Sequence, residues 1–212
     1  MLRFSVLLLL LGCHLGCQPP EASPKKPNLL LLFADDQRAS TLLNPAIQTP
    51  NLDRLRERGL HFTQAHIMGG DNGAVCAPSR NMLMTGRRLG RLPVKGFELN
   101  DETLTLGQHL QANGYHSFGT GKWHNTRRAF SRTFADGEAI LMGGMCDPWT
   151  APLFHYHADG DYHDRRPVIH DPYHTNQVDT LQGEYALSGR HASEIFADAA
   201  IDYLRSRAGQ SE

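Results

Sequence analysis

Cysteine is scarce in this chain: there are four in 212 residues, and two of them, Cys13 and Cys17, fall near the amino terminus. Removal of an amino-terminal signal leaves Cys76 and Cys146, with Cys17 as a third if cleavage precedes it. That is too few for a disulfide framework, and a Cys76–Cys146 bridge is the competing fate for either thiol. An excess of one charge is also missing. Lys and Arg number 21 against 22 Asp and Glu, the formal net charge is −1, and no Lys/Arg run occurs, which argues against a nucleic-acid binder relying on a basic surface. The apolar stretch Phe4–Leu11 is too short to span a bilayer. The glycine-rich stretch Gly69-Gly70-Asp71-Asn72-Gly73 is not followed by Gly-Lys-Ser/Thr, so it is not a phosphate-cradling loop of the Walker kind. Its glycines permit close approach of backbone to a ligand just before Cys76.

What is present begins with an export signal over residues 1–17, in which Arg3 supplies a basic start and Phe4–Leu11 the apolar core. Leu10-Leu11-Gly12-Cys13 resembles a bacterial lipobox, with Cys13 as the lipidated residue and Cys17 as a poorer second candidate; simple cleavage without lipid is the alternative. Either route takes the chain out of the cytoplasm, to the periplasm or cell surface. Residues 18–27, with Pro19, Pro20, Pro24 and Pro27, read as a stiff tether. The folded body then occupies 28–212.

Asn28-Leu29-Leu30-Leu31-Leu32-Phe33-Ala34 is a continuous apolar run, as expected for a central strand of a parallel sheet covered on both faces. It ends in Asp35-Asp36. In open α/β sheets the ligand crevice lies beyond the carboxyl ends of the strands, and adjacent carboxylates tolerate each other best around a hard cation such as Ca²⁺ or Mg²⁺. Residues 49–59 predict a helix with Thr49 as cap, Pro50 in its first turn, Leu52 and Leu55 facing inward and Gly59 as stop. Leu60 and Phe62 then read as a short strand.

The sequence Cys76-Ala77-Pro78-Ser79-Arg80-Asn81-Met82-Leu83-Met84-Thr85-Gly86-Arg87 predicts a helix beginning at Cys76, since Pro78 suits a first turn and Gly86 closes a last one. A side chain there faces unpaired backbone N–H groups and the positive end of the helix dipole. Such an environment suits a nucleophile acting on a tetrahedral oxyanion ester. Arg80 lies one turn further along the same face.

Residues 103–113 predict a second helix closed by Gly114, and Tyr115–Thr120 a strand ending in Gly121-Lys122-Trp123-His124. This sets a cation, Lys122, and an imidazole, His124, at a strand end. Residues 131–190 show no clean period and read as an irregular, substrate-facing insertion, with Trp149, Phe154, Tyr156 and Tyr162 able to stack on a sugar or aryl group. His155, His157, His163, His170 and His174, among 12 histidines in all, match no closed zinc-ligand spacing. The last element is an amphipathic helix over 192–207, with Ile195, Phe196, Ala199, Ala200, Tyr203 and Leu204 as its apolar stripe.

Cys-Ala-Pro-Ser-Arg with its Met-Leu-Met-Thr-Gly-Arg extension resembles the signature of the type I sulfatases, members of the alkaline phosphatase superfamily. Gly114-Tyr115-x-Ser117 followed by Gly121-Lys122-Trp123-His124 is similar to their second signature, with Thr120 the main departure. The resemblance implies an α/β fold, a mostly parallel sheet sandwiched by helices, and an oxidation of Cys76 to formylglycine by a formylglycine-generating or anaerobic maturation enzyme that reads Cys-x-Pro-x-Arg. It further implies that Asp35 and Asp36 ligate calcium together with the residue at 76, that Lys122 contacts the sulfate, and that His124 contacts the formylglycine hydroxyl. Arg80 would help neutralise the oxyanion.

A hydrated formylglycine has two hydroxyls on one carbon. One attacks the sulfur of a sulfate ester and the ester alcohol leaves; the other then loses its proton and expels sulfate, regenerating the aldehyde. The expected substrate is a sulfated small molecule or glycan. A phosphate or phosphonate ester hydrolase of the same superfamily, and a non-catalytic sulfated-glycan binder, are the alternatives. No apolar strand ending in Asp-Asn or Asp-His follows residue 207, so the chain is expected to be the amino-terminal part of such an enzyme, incomplete, with weak metal binding and poor activity alone.

Overall fold

A computed structural model describes residues 26–70, 75–96, 98–163, 168–169, 178–179, 183–187 and 189–209. The export signal with Cys13 and Cys17, most of the tether, residues 71–74 of the glycine-rich loop, His170 and His174 lie outside the described residues. The chain divides into two compact units, Met1–Gln48 and Thr49–Glu212.

In the first unit the Leu29–Phe33 run does not form the expected strand: it joins no sheet, and Leu29 to Leu32 stand 54–69 % exposed. The physical reason is that a parallel strand draws all of its pairing from distant chain, so an apolar run specifies burial without supplying the neighbours that would accomplish it. A single short helical turn, Ala39–Leu43, follows.

The second unit begins with α1 (Pro50–Arg58), with Pro50 in its first turn as the sequence requires. Leu52 and Leu55 do not face a core; they are 38 % and 60 % exposed, and Leu60 and Phe62 are exposed and outside any strand. Helix α2 (Cys76–Thr85) ends on Gly86, whose φ of 63° is left-handed and whose N–H reaches the Met82 carbonyl at 2.9 Å. Helix α3 (Leu106–Ala112) starts three residues later than 103, because Thr105 and Gln108 form a reciprocal capping box there. Gly107 of α3 lies on the Thr133 carbonyl of α4 (Arg127–Thr133) so closely that any Cβ would collide with it.

The core is a βαβ unit. Strands β1 (Phe118–Lys122) and β2 (Asp136–Leu141) pair in parallel around α4, so residues 131–190 are not irregular throughout. Gly119 and Gly137 are register partners, and the Phe130 ring of α4 fills the space that two side chains would otherwise take. On the other side, α5 (Ala192–Arg207) stacks Tyr203 on Phe118 at 4.2 Å and sets Phe196 over Gly121. The parallel pair flanked by helices is the architecture expected from the sequence. Helix α5 has the predicted bounds, but Leu204 is 52 % exposed, so only the stripe around Ile195, Phe196, Ala199 and Tyr203 packs. A two-residue antiparallel pair, β3 (Val168–Ile169) with β4 (Val178–Asp179), completes the described strands.

Phe154 and Tyr162, expected to face substrate, are core residues at 1 % and 4 % exposure, clustered with Leu99, Trp123, Phe130 and Ile140. Burial of a large aromatic contributes roughly 1.5–3 kcal/mol. Here the polar Ser131 and His157 supply the Tyr162 hydroxyl with partners at 3.0 and 3.3 Å, which is why a polar neighbourhood in sequence concealed an interior position. Trp149 remains 51 % exposed.

Candidate active site

Cys76 occupies the first turn of α2, half-buried, with a free thiol; Cys146 is also free, so no bridge joins them. Val75 gives the helix no side-chain cap, and the first-turn hydrogen bond present is Ser79 N–H to the Val75 carbonyl at 2.9 Å. Among the described residues no carboxylate stands in this first turn, and the dipole end there favours an anion.

From this helix two consecutive residues reach the end of β1. Arg80, 9 % exposed, donates from its Nη1 to the Lys122 carbonyl. Asn81, 1 % exposed, donates to the Gly96 carbonyl at 2.5 Å and accepts on Oδ1 from the Asn125 amide. Asn125 in turn accepts from the N–H groups of Leu99 and Thr126, each at 2.9 Å. Asn81 and Asn125 were not singled out in the sequence, and only their place beside the two signatures could have drawn notice.

The strand end is locked from within as well. Trp123 N–H pairs with the Leu141 carbonyl at 2.8 Å, its indole N–H reaches the Thr126 carbonyl at 2.8 Å, and its ring sits edge-on to Phe130. The next residue, His124, takes a φ of 54°, left-handed and uncommon outside glycine, though histidine is one of the residues that tolerates it. The kink turns its imidazole against the backbone of Gly144, where a Cβ would strike the ring. Gly144 is thus a site residue that sequence reasoning missed; its glycine-glycine context after β2 was the available sign. Lys122 is near enough to Cys146 to pull its thiol pKa down, but burial first and Asp147 second outweigh that pull and raise it. A raised thiol pKa leaves Cys146 a poor nucleophile at neutral pH.

Cys76, Arg80, Lys122 and His124 all lie in the second unit, and the Arg80 side chain ties the Cys76 helix to the backbone of Lys122, two residues before His124.

Asp35 and Asp36 lie in the first unit, both exposed, at a bend where Asp36 has a φ of 54°. Their oxygens are the hard donors that calcium takes, but calcium needs six to eight of them, and among the described residues no group of three or more His, Cys, Asp or Glu could hold a metal ion. The described residues do not make a complete site for that ion. His155, His157 and His163 are likewise committed to carboxylates, pairing with Glu138 at 2.9 Å, Glu184 at 2.5 Å and Asp161 at 2.9 Å.

Comparison with known proteins bears on these motifs directly, for the sulfatase family profile matches residues 27–212. The chain belongs to the sulfatase family. Relatives of this sulfatase chain include an uncharacterized sulfatase of Schizosaccharomyces pombe, 29 % identical over 88 % of the chain and 36 % of the relative. Human arylsulfatase D is 34 % identical over 71 % of the chain and 30 % of its own length. The N-acetylglucosamine-6-O-sulfatase of Bacteroides thetaiotaomicron is 27 % identical over 89 % and 29 %. The sulfatase chain thus spans about a third of the length of these relatives. No solved structure matches it. Sulfatases as a family generally use a formylglycine and a divalent metal.

Proposed function

We propose that this chain carries the sulfate-ester-cleaving centre of a formylglycine-dependent sulfatase, with Cys76 as the residue that is matured. The observation that supports this most is the junction of Arg80 with the Lys122 carbonyl, which seats the Cys76 helix on the strand end bearing Lys122 and His124. A free, half-buried thiol at an uncapped helix start is open to a maturation enzyme that reads residues 76–80. Once formed, the hydrated formylglycine supplies a hydroxyl for attack at sulfur and a second hydroxyl to expel the sulfate.

The chain's own residues have separable tasks. The Lys122 ammonium neutralises charge on the sulfate oxygens, and Arg80, fixed by the Lys122 carbonyl, adds a second positive charge to the same neighbourhood. His124, held by Gly144, orients or deprotonates the hydroxyl carried at position 76. Asp35 and Asp36 contribute oxygens to a divalent cation, Ca²⁺ or alternatively Mg²⁺. The substrate is a sulfated carbohydrate, a reading that the name of the Bacteroides relative favours. The protein is exported to the periplasm or cell surface, lipid-anchored at Cys13 or, failing that, Cys17.

The test is co-expression with a formylglycine-generating enzyme, mass spectrometry of the Cys76 peptide, and turnover of aryl sulfate against aryl phosphate. Loss of the thiol with gain of an aldehyde is expected, with only slow turnover, of the sulfate in preference to the phosphate. An unmodified thiol with no turnover would overturn the proposal in favour of a sulfated-glycan binder, and preference for the phosphate would reassign the chain to phosphoryl chemistry.

A further inference from the structure

Beyond the C-terminal end of α2 the chain reads Arg87-Arg88-Leu89-Gly90-Arg91, and all three arginines are exposed. Arg87 and Arg91 line an open cleft of about 490 Å³, facing Asn100, Glu102 and Thr103 across it. Neither guanidinium is engaged in an ion pair or side-chain hydrogen bond among the described residues.

The opposite wall is built rather than loose. Arg132 donates to the carbonyls of Asn100, Asp101 and Thr103 at 2.9, 2.7 and 3.2 Å, and the buried Thr103 hydroxyl donates to Asn100 Oδ1 at 2.5 Å. Asp101 is taken by Arg128 and Arg132, at 3.7 and 3.9 Å, so it does not neutralise the cleft. Among the described lining residues Glu102 is the one carboxylate, against two guanidiniums. On the arginine side, the buried Leu92 and its N–H bond to the Leu89 carbonyl at 3.0 Å hold the short helical turn that presents Arg91.

Two guanidinium forks match the oxygens of a tetrahedral anion, while Glu102 and Asn100 offer acceptors for hydroxyl groups beside it. Among the described residues no aromatic side chain lines the cleft, and the oligonucleotide ligand below tests whether a nucleobase is held there. We propose that this cleft binds one sulfated sugar of an anionic polysaccharide, as a second anion site roughly 15 Å from Cys76 along α2. The choice of a sulfated sugar rests on the sulfatase reading; the presence of an anion site does not.

The experiment is fluorescence anisotropy of the full chain with a labelled dextran sulfate oligosaccharide. Uncharged dextran and a single-stranded oligonucleotide of equal charge serve as comparison ligands. The double substitution Arg87→Gln with Arg91→Gln is expected to weaken dextran sulfate binding by at least about tenfold, as loss of two charge-assisted contacts requires. Arg88→Gln, outside the cleft lining, and Cys76→Ala are each expected to leave it within about twofold. The Cys76→Ala variant separates the two readings, because it abolishes sulfatase turnover without touching the cleft. Unchanged binding in the double variant, an equal loss with Arg88→Gln, or equal affinity for the oligonucleotide or uncharged dextran would overturn the proposal.

Discussion

The amide of Asn125 donates to the side-chain oxygen of Asn81, so two uncharged residues 44 positions apart tie the Cys76 helix to the strand end that carries Lys122 and His124. Both side chains are pinned on their other polar atoms, to Gly96, Leu99 and Thr126, which makes the pair a spacer between the two motifs rather than an isolated contact. Its removal should be felt at both.

Asn81→Ala and Asn125→Ala are each expected to lower unfolding free energy by about 1–3 kcal/mol, the cost of leaving buried amide partners unsatisfied. A double-mutant cycle by urea unfolding should return a coupling of about 0.5–3 kcal/mol. Strict additivity would mean that the two residues act independently.

Gly144→Ala should displace the His124 ring more than it harms the fold, because the obstructing atom is the movable end of a side chain and not backbone. The expected outcome is a melting temperature within a few degrees of wild type, corresponding to less than about 1 kcal/mol, with sulfate-ester turnover sharply reduced. A variant with full turnover would show that the ring position does not matter to catalysis.

Glu138 accepts from the Tyr185 hydroxyl at 2.6 Å and pairs with His155 at 2.9 Å. Burial alone would raise its pKa; the Tyr185 and His155 hydrogen bonds, the Ala139 backbone and the His155 charge outweigh that and hold it below the ordinary 4.5. A carboxyl with a depressed folded-state pKa adds stability above its unfolded value and loses it as pH falls through the folded one. The stability gap between wild type and Glu138→Gln should therefore shrink as pH drops below 4.5. Chemical denaturation across that range measures it, and a gap that grows on acidification would contradict the assigned sign.

Asp35→Asn with Asp36→Asn should weaken calcium binding by at least about tenfold, read by isothermal titration, since each substitution replaces an anionic hard ligand by a neutral one. The same pair should leave thermal stability without calcium nearly unchanged, because both side chains are exposed.

Cys13→Ser in the full-length precursor is expected to move the protein from the membrane fraction to the soluble fraction of the exporting cell. If the membrane fraction persists, the same change at Cys17 should abolish it.

The elements legible in the sequence are those whose signals are local. Helix α2 declares itself through Pro78 and Gly86, and α5 through its stripe, because capping and periodicity act over a few residues. The Asn28–Ala34 run predicts a strand on hydrophobicity alone, and hydrophobicity does not carry pairing partners with it. Phe154 and Tyr162 were misplaced for the opposite reason: histidines and aspartates surround them in sequence, while the contacts that bury them come from Leu99, Phe130 and Ile140. Cys76, Arg80, Lys122 and His124 stood out through their motifs. The Asn81–Asn125 tie and the glycine behind His124 did not, since nothing in either motif specifies what must lie against it.

The facing glycines at 119 and 137 have a mechanical meaning for the chain as a whole. Parallel strands can in principle slide by whole steps while exchanging one ladder for another, but here an aromatic peg from the intervening helix drops into a socket that only two adjacent side-chain-free positions create. Sliding would drive backbone into the ring. The pairing at the start of the two strands is consequently indexed by shape, like a key against its ward; the register steps by one residue before Lys122, and a bulkier residue at either socket position must push the ring out or part the strands there.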